Sequence, residues 1–231
     1  MKSEKVTNPR KSSEKRHYDD ACATAHALDL IGDRWALPLI RELMFGPKRF
    51  TDLRRDLPAI SANVLTQRLE GLEETGIIVR HKLPPPAAAW VYELTAWGYA
   101  SEPIFQVLGH WGAMSPLHDP TGPFSACSAL LSFRTMIDAR RAEGLSARIG
   151  FRFGEESFVG TIADGGIVIA RGPAKDVDLL FESEPRTLAA AVYGGVPLDA
   201  LIADGALRIE GDHALAERFT TLFPLPAKAV R

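Results

Sequence analysis

The sequence predicts an α+β chain in two parts, a mainly helical first half and a second half in which short strands alternate with helices. Three observations carry this. Leucines recur at helical spacing between residues 50 and 72, with a hairpin pattern directly behind them. A run of turn formers, S-P-L-H-D-P-T-G-P at 115–123, separates the halves. Beyond it, Ile149, Phe151 and Phe153 alternate with Arg148, Gly150 and Arg152, the period of a half-buried strand. The expected division is a polar tail over 1–17, a helical domain over 18–114, a linker over 115–123 and an α+β domain over 124–231.

In chain order, a first helix is expected over 18–31. A second should start near Asp33 or Arg34, where Pro38 would remove one backbone hydrogen bond and kink it. A short helix over 51–56 presents Phe50, Leu53 and Leu57 at helical spacing until Pro58 breaks it. After a three-residue turn, Ser61 is a good N-cap, because its hydroxyl can accept from an otherwise unpaired amide. Leu65, Leu69 and Leu72 follow at i, i+4 and i+7 and mark a buried side; Asn63, Thr66, Gln67 and Glu70 then point outward. Gly76 stands where a glycine commonly ends a helix, and 77–83 and 90–94 read as strands around P-P-P-A-A-A. Turn, capped helix and hairpin in this order read as a winged helix-turn-helix, whose second helix enters the major groove of double-stranded DNA by its N-terminal end. Asn63, Thr66 and Gln67, with Ser61 beside them, are the candidate base readers; Lys48, Arg49 and Arg68, with Arg80 and Lys82 in the hairpin, are candidate phosphate holders. A further helix is expected over 96–112. Leu28, Ile31, Ile104, Val107, Leu108 and Trp111 on it and on the first helix exceed what a small monomeric core needs, which marks a homodimer seam.

In the second half, a helix over 124–142 carries Leu130, Leu131, Phe133, Met136 and Ile137 on its apolar side. Strands are expected at 149–153, 158–162, 166–170, 177–182 and 206–210, helices at 185–193 and 198–203, and a last helix capped by Asp212. Helices on one face of a mostly antiparallel sheet make an α+β domain. Leu188, Val192, Leu201, Leu207, Ile209, Phe219 and Phe223 would gather around one core. Apolar periodicity does not separate the walls of a ligand cavity from a filled core, so both readings stay open.

Composition narrows the function. A net charge of −2 is weak for a nucleic-acid binder taken whole, but the basic residues named above lie on or beside the capped helix, together with Arg54 and Arg55 and against Asp52, Asp56, Glu70, Glu73 and Glu74. That mild local excess suits phosphate positioning in a dimer. The first sixteen residues read as a solvated tail, with a basic arm as the alternative. Neither a bilayer-length apolar run nor a signal-peptide centre occurs, so a cytoplasmic protein with no membrane partner is expected. Six scattered histidines and two distant cysteines, Cys22 and Cys127, form no metal-ligand motif. With no phosphate-cradling or nucleophile motif present either, neither an enzyme nor a cofactor is expected.

Residues 22–112 resemble the HxlR family of winged-helix transcription regulators. The matching segments are Cys22, A-L-D-L-I-G-D-R-W at 27–35, I-R-E-L at 40–43, G-P-K-R-F-T-D-L at 46–53, I-S-A-N-V-L-T-Q-R-L-E-G-L-E-E-T-G-I-I at 60–78, Y-E-L-T at 92–95 and Gly98. The resemblance implies a bacterial homodimer on a pseudo-palindromic operator. Ala89 and Val91 stand where that family's wing carries a basic and an acidic residue, which argues against strong contact by the wing tip. Some regulators of the family sense oxidants or electrophiles with a cysteine at the Cys22 position. His26, one helical turn on, could lower its pKa, while the other reading is a small residue packed in the first helix. From 124 to 223 the chain resembles the sterol-carrier-protein-like fold, most clearly in D-V-D-L-L-F-E-S-E-P-R-T-L-A-A-A-V-Y-G-G at 176–195 and P-L-D-A-L-I-A-D-G-A-L-R-I-E-G-D at 197–212. That implies a tunnel for a hydrophobic small molecule. Together the two resemblances imply a DNA-binding regulator modulated by such an effector, signalling through the 115–123 linker. The alternatives are a thiol switch at Cys22 and a lipid carrier whose winged helix contacts protein.

Overall fold

The computed structural model describes residues 18–230. The first half holds α1 (Ala23–Ile31), α2 (Ala36–Leu43), α3 (Phe50–Asp56), α4 (Ala62–Glu74), a hairpin of β1 (Ile78–Lys82) and β2 (Trp90–Leu94), α5 (Ala96–Tyr99) and α6 (Glu102–Ala113). Capping chemistry sets several of these ends. The Ser61 hydroxyl accepts from the Val64 amide and opens α4. Gly76, at φ +75°, closes it: its amide donates to Glu73 O and that of Ile77 to Leu72 O, so two terminal carbonyls are satisfied. Gly98 is needed for space, because a Cβ there would collide with the Ile77 carbonyl.

Three helical expectations in the first half need correction. The first helix begins at Ala23 rather than at 18, with Cys22 as its N-cap. Pro38 does not kink α2: the helix starts at Ala36, after Trp35 at φ 82°, so Pro38 lies in the first turn, where its missing amide had no partner to lose. The helix over 96–112 is two helices, because α5 ends at Tyr99 and Pro103 reopens the chain within the first turn of α6.

The second half holds α7 (Ala126–Met136), β3 (Ala147–Phe153), β4 (Glu156–Ala163), β5 (Gly166–Arg171), β6 (Leu179–Ser183), α8 (Pro185–Gly194), α9 (Leu198–Ala203), β7 (Leu207–Gly211) and α10 (His213–Thr220). The sheet order is β5-β4-β3-β6-β7, with only β3 and β6 parallel. Helix α7 is shorter than the 124–142 expectation: Ser125 caps its start and the backbone turns extended at Ile137. Helices α7, α8 and α10 pack on one another and on the sheet. The side chains between them are aromatic. Phe133 lies 4.9 Å from Phe223 and 5.5 Å from Phe219, and Phe219 lies 5.2 Å from Phe181, ring centre to ring centre.

The two halves share a core, with α7 lying against α2 and α6. After α10 the chain returns to the end of α6. There Lys228 Nζ donates to the carbonyls of Ala113 and Ser115, and the Ala229 amide donates to Met114 O. A cation on the unsatisfied carbonyls of a helix C-terminus is favourable electrostatics.

Candidate nucleic-acid interface

Helix α4 buries Leu65, Leu69 and Leu72, which leaves Ser61, Asn63, Thr66, Gln67 and Glu70 exposed. The carboxamide ends of Asn63 and Gln67 are therefore available to base edges. The Thr66 hydroxyl donates back to Ala62 O at 3.0 Å and keeps its acceptor lone pairs for a partner. Arg49 is exposed at the start of α3. In the hairpin, Arg80 and Lys82 are exposed, and the Arg80 guanidinium stacks 4.9 Å from the Trp90 ring and 5.8 Å from that of Tyr92. Trp90 itself is 54% exposed, an aromatic surface beside the wing that the sequence reading overlooked. The period-2 register puts Trp90 opposite Lys82 and Tyr92 opposite Arg80, so the signal was present in the strand pattern.

Two candidate phosphate holders are differently placed. Lys48 is buried, and this corrects the expectation that it faces DNA. Its Nζ lies 2.6 Å from Asp56, 3.2 Å from Glu42 and 3.9 Å from Glu156. Burial alone would lower the pKa of this ammonium, but Cys127, Glu42, Glu156 and Asp56 outweigh it and hold the value above the ordinary range. Arg68 is half-buried and tied to Asp33 at 2.7 Å and to Arg34 O at 3.1 Å, so it braces the start of α2 against α4.

Behind this face lies a charged junction between the halves. The Glu42 carboxylate, fully buried, accepts from Lys48, from Arg41 at 2.8 Å and from the Ser125 hydroxyl at 2.7 Å, while its backbone carbonyl accepts from the Cys127 thiol. Arg171 of β5 donates to Phe45 O at 3.1 Å and to Glu156 at 2.8 Å. Arg134 of α7 reaches both oxygens of Glu102 at 2.8 Å and lies over the Phe45 ring. The contact between halves is thus direct and does not depend on the 115–123 linker alone.

On α6, Ile104, Val107, Leu108 and Trp111 are exposed, as is Leu28 on α1, and Ile31 is half-buried. Val107 at 72% and Trp111 at 69% exposure are uncovered apolar side chains on one helix. Cys22 is exposed rather than packed, and its thiol pKa is lowered by hydrogen bonds from the Thr24 backbone and side chain and from the Ala25 amide. His26 is not among the causes. Cys127, buried, is pushed up to about 12, first by burial and then by Glu42.

The residues suggested as a ligand pocket in the second half divide. Leu188, Leu207, Phe219 and Phe223 are buried in the aromatic core, and Val192, Leu201 and Ile209 pack partly buried against it. Between sheet and helices the rings of Phe133, Phe151, Phe181, Phe219 and Phe223 pack on one another, with centres 4.9–6.2 Å apart. Val192 and Phe223 also border a surface depression of about 130 Å³. A larger cleft, about 420 Å³, opens where the halves meet, between the loop after α2 and β5. Among the described residues there is no group of three acidic, histidine or cysteine side chains placed to hold a metal, and no helix long and apolar enough to cross a membrane.

Comparison with known proteins matches residues 30–118 to the HxlR-like helix-turn-helix family and residues 130–224 to the SCP-2 sterol transfer family. The HTH-type transcriptional regulator YodB of Bacillus subtilis (strain 168) is 39% identical over 85 residues, which cover 37% of this chain and 76% of YodB. The uncharacterized HTH-type transcriptional regulator YybR of the same organism is 36% identical over 96 residues, 40% of this chain and 74% of YybR. The solved structure of the redox regulator HypR in its oxidized form is 35% identical, covering 39% of this chain and 94% of that one, with a TM-score of 0.37.

Proposed function

The chain belongs to the HxlR-like helix-turn-helix family of transcriptional regulators, with an SCP-2-like second domain, and from that premise we propose that it binds a pseudo-palindromic operator as a homodimer and answers to a small apolar effector. The observation that carries the DNA reading is the outward polar face of α4, where Asn63, Thr66 and Gln67 stand exposed beside the capped N-terminus. Arg49, Arg80 and Lys82 supply the phosphate contacts, and the Arg80–Trp90 stack stiffens the hairpin that carries two of them. The bare apolar side of α6, with Leu28 of α1, is the dimer seam; covering it brings two copies of α4 to half-sites about 34 Å apart.

The test is to select a preferred sequence from random duplexes with the full chain and then measure affinity for it. Gln67→Ala should lose about 1–3 kcal/mol of preference at one base position. Arg49→Ala should weaken specific and scrambled duplexes alike and flatten the salt slope by about one unit. Equal loss on both duplexes for Gln67→Ala removes the base-reading assignment; failure to select any duplex favours the carrier reading.

Exposure of Cys22 and the lowering of its thiol pKa support a second route of control, through oxidation or alkylation of that thiol. Cys22→Ser should bind the operator normally and ignore diamide, while the unsubstituted protein releases it. Wild-type binding that diamide leaves untouched ends this reading.

A further inference from the structure

We propose that the cleft between the two halves binds a small apolar molecule carrying one anionic group, and that an effector acts on the DNA-reading half from there. The regulatory clause rests on the function proposed above; the binding clause does not. At about 420 Å³ the cleft falls in the range of small-ligand sites. In the interior of the second domain, by contrast, phenylalanine rings pack on one another with centres 4.9–6.2 Å apart.

The walls define the chemistry. Phe45 and Pro47 come from the loop after α2, and Ile169 and Ala170 from the edge strand β5, which suits a flat apolar body. The lining side chains with polar ends are Tyr99 and Arg171, and both donate. Burial first, and Glu93 second, hold the Tyr99 phenol above its usual pKa, so its proton stays available. Arg171 is fixed in advance by Phe45 O, by Glu156 and by its stack 4.6 Å from the Phe158 ring, and its Nη1 has no hydrogen-bond partner among the described residues. Donors that are already in place favour an acceptor, and a charged one most strongly.

The position supplies the coupling. Gly46 and Pro47 lead straight into Lys48 and then Arg49, the N-cap of α3. Glu156, which holds Arg171, also faces Lys48 at 3.9 Å. An anion on Arg171 competes with Glu156 and so disturbs the junction that supports α3.

The experiment titrates the full-length protein with 8-anilino-1-naphthalenesulfonate and, as a neutral counterpart, N-phenyl-1-naphthylamine, following fluorescence and calorimetric stoichiometry. One saturable site per chain is expected, with the neutral probe at least tenfold weaker. Ala170→Trp, made at an exposed position on the cleft wall, should weaken the sulfonate at least tenfold. Tyr99→Phe keeps the ring and should weaken the sulfonate several-fold while leaving the neutral probe unchanged. Leu117→Glu, at an exposed apolar position in the turn beyond α6, should change neither. The proposal is overturned if Ala170→Trp and Tyr99→Phe bind the sulfonate like the unsubstituted protein, if both probes bind equally, or if Leu117→Glu abolishes binding. No DNA enters the titration, so a failure of the DNA reading leaves its result intact.

Discussion

The outward face of α4 and the junction behind α2 are both polar, yet they stand differently toward water. Asn63 and Gln67 are solvated, whereas Glu42 and Lys48 are removed from solvent and matched to each other. A solvated side chain keeps its hydrogen-bonding capacity for a partner and costs the fold little when replaced. A buried charge has already used that capacity inside the molecule, and deleting its mate strands the remaining charge in a poor dielectric. Lys48 and Arg49 show the contrast at its sharpest, adjacent residues of the same charge on opposite sides of this divide.

The largest effect that could break this comparison is on stability at the junction. Lys48→Met should destabilise the chain by about 3–5 kcal/mol in urea unfolding, because it leaves Glu42 buried without its ammonium partner. Arg49→Ala in the same assay should stay within about 0.5 kcal/mol. Equal costs for the two would erase the distinction. Next in size, Phe219→Ala removes a ring in contact distance of Phe133, Phe181 and Phe223 and should cost about 3 kcal/mol. A cost well below about 1 kcal/mol would mean that the space around it is loosely filled and would reopen the cavity reading of that core.

The smallest effect uses one chemical group in both settings. A thiol reacts as its thiolate, so alkylation rises as pH climbs through the thiol pKa. For Cys22, whose pKa is lowered, the half-maximal iodoacetamide rate should fall at a lower pH than for free cysteine. Cys127, pushed up to about 12 and buried, should stay unmodified across the same range in the native state. Peptide mass mapping after timed alkylation reads both at once. Equal labelling of the two would show that the region around Cys127 opens readily.

Elements that carry their own end signals are legible in the sequence. Ser61, Gly76, Asp212 and the leucine periodicity of α4 place their helices to within a residue or two, because capping and amphipathic spacing act over one turn of chain. The outward set Asn63, Thr66 and Gln67 follows from the same local geometry. Where the expectation and the fold part, at the ends of α2 and α5, the local information conflicts. Pro103 and the Trp35 backbone break helical patterns whose apolar period runs through them. Lys48 and Arg68 differ for another reason, since a basic residue beside a reading helix looks the same in sequence whether it faces phosphate or a carboxylate of its own chain.

The sequence by itself determined the two-part α+β architecture, the capped helix α4, its polar face and the apolar excess on α6. Tertiary structure alone decided that Ser125 meets Glu42 across 83 positions of chain, that Glu156 faces Lys48, and that the phenylalanines close the second core while a cleft opens at the junction. The division has a physical cause. Caps and periods are satisfied by neighbours within a few residues, whereas the fate of a buried charge or a cavity depends on which distant segment arrives to fill the space, and no short stretch of sequence contains that partner.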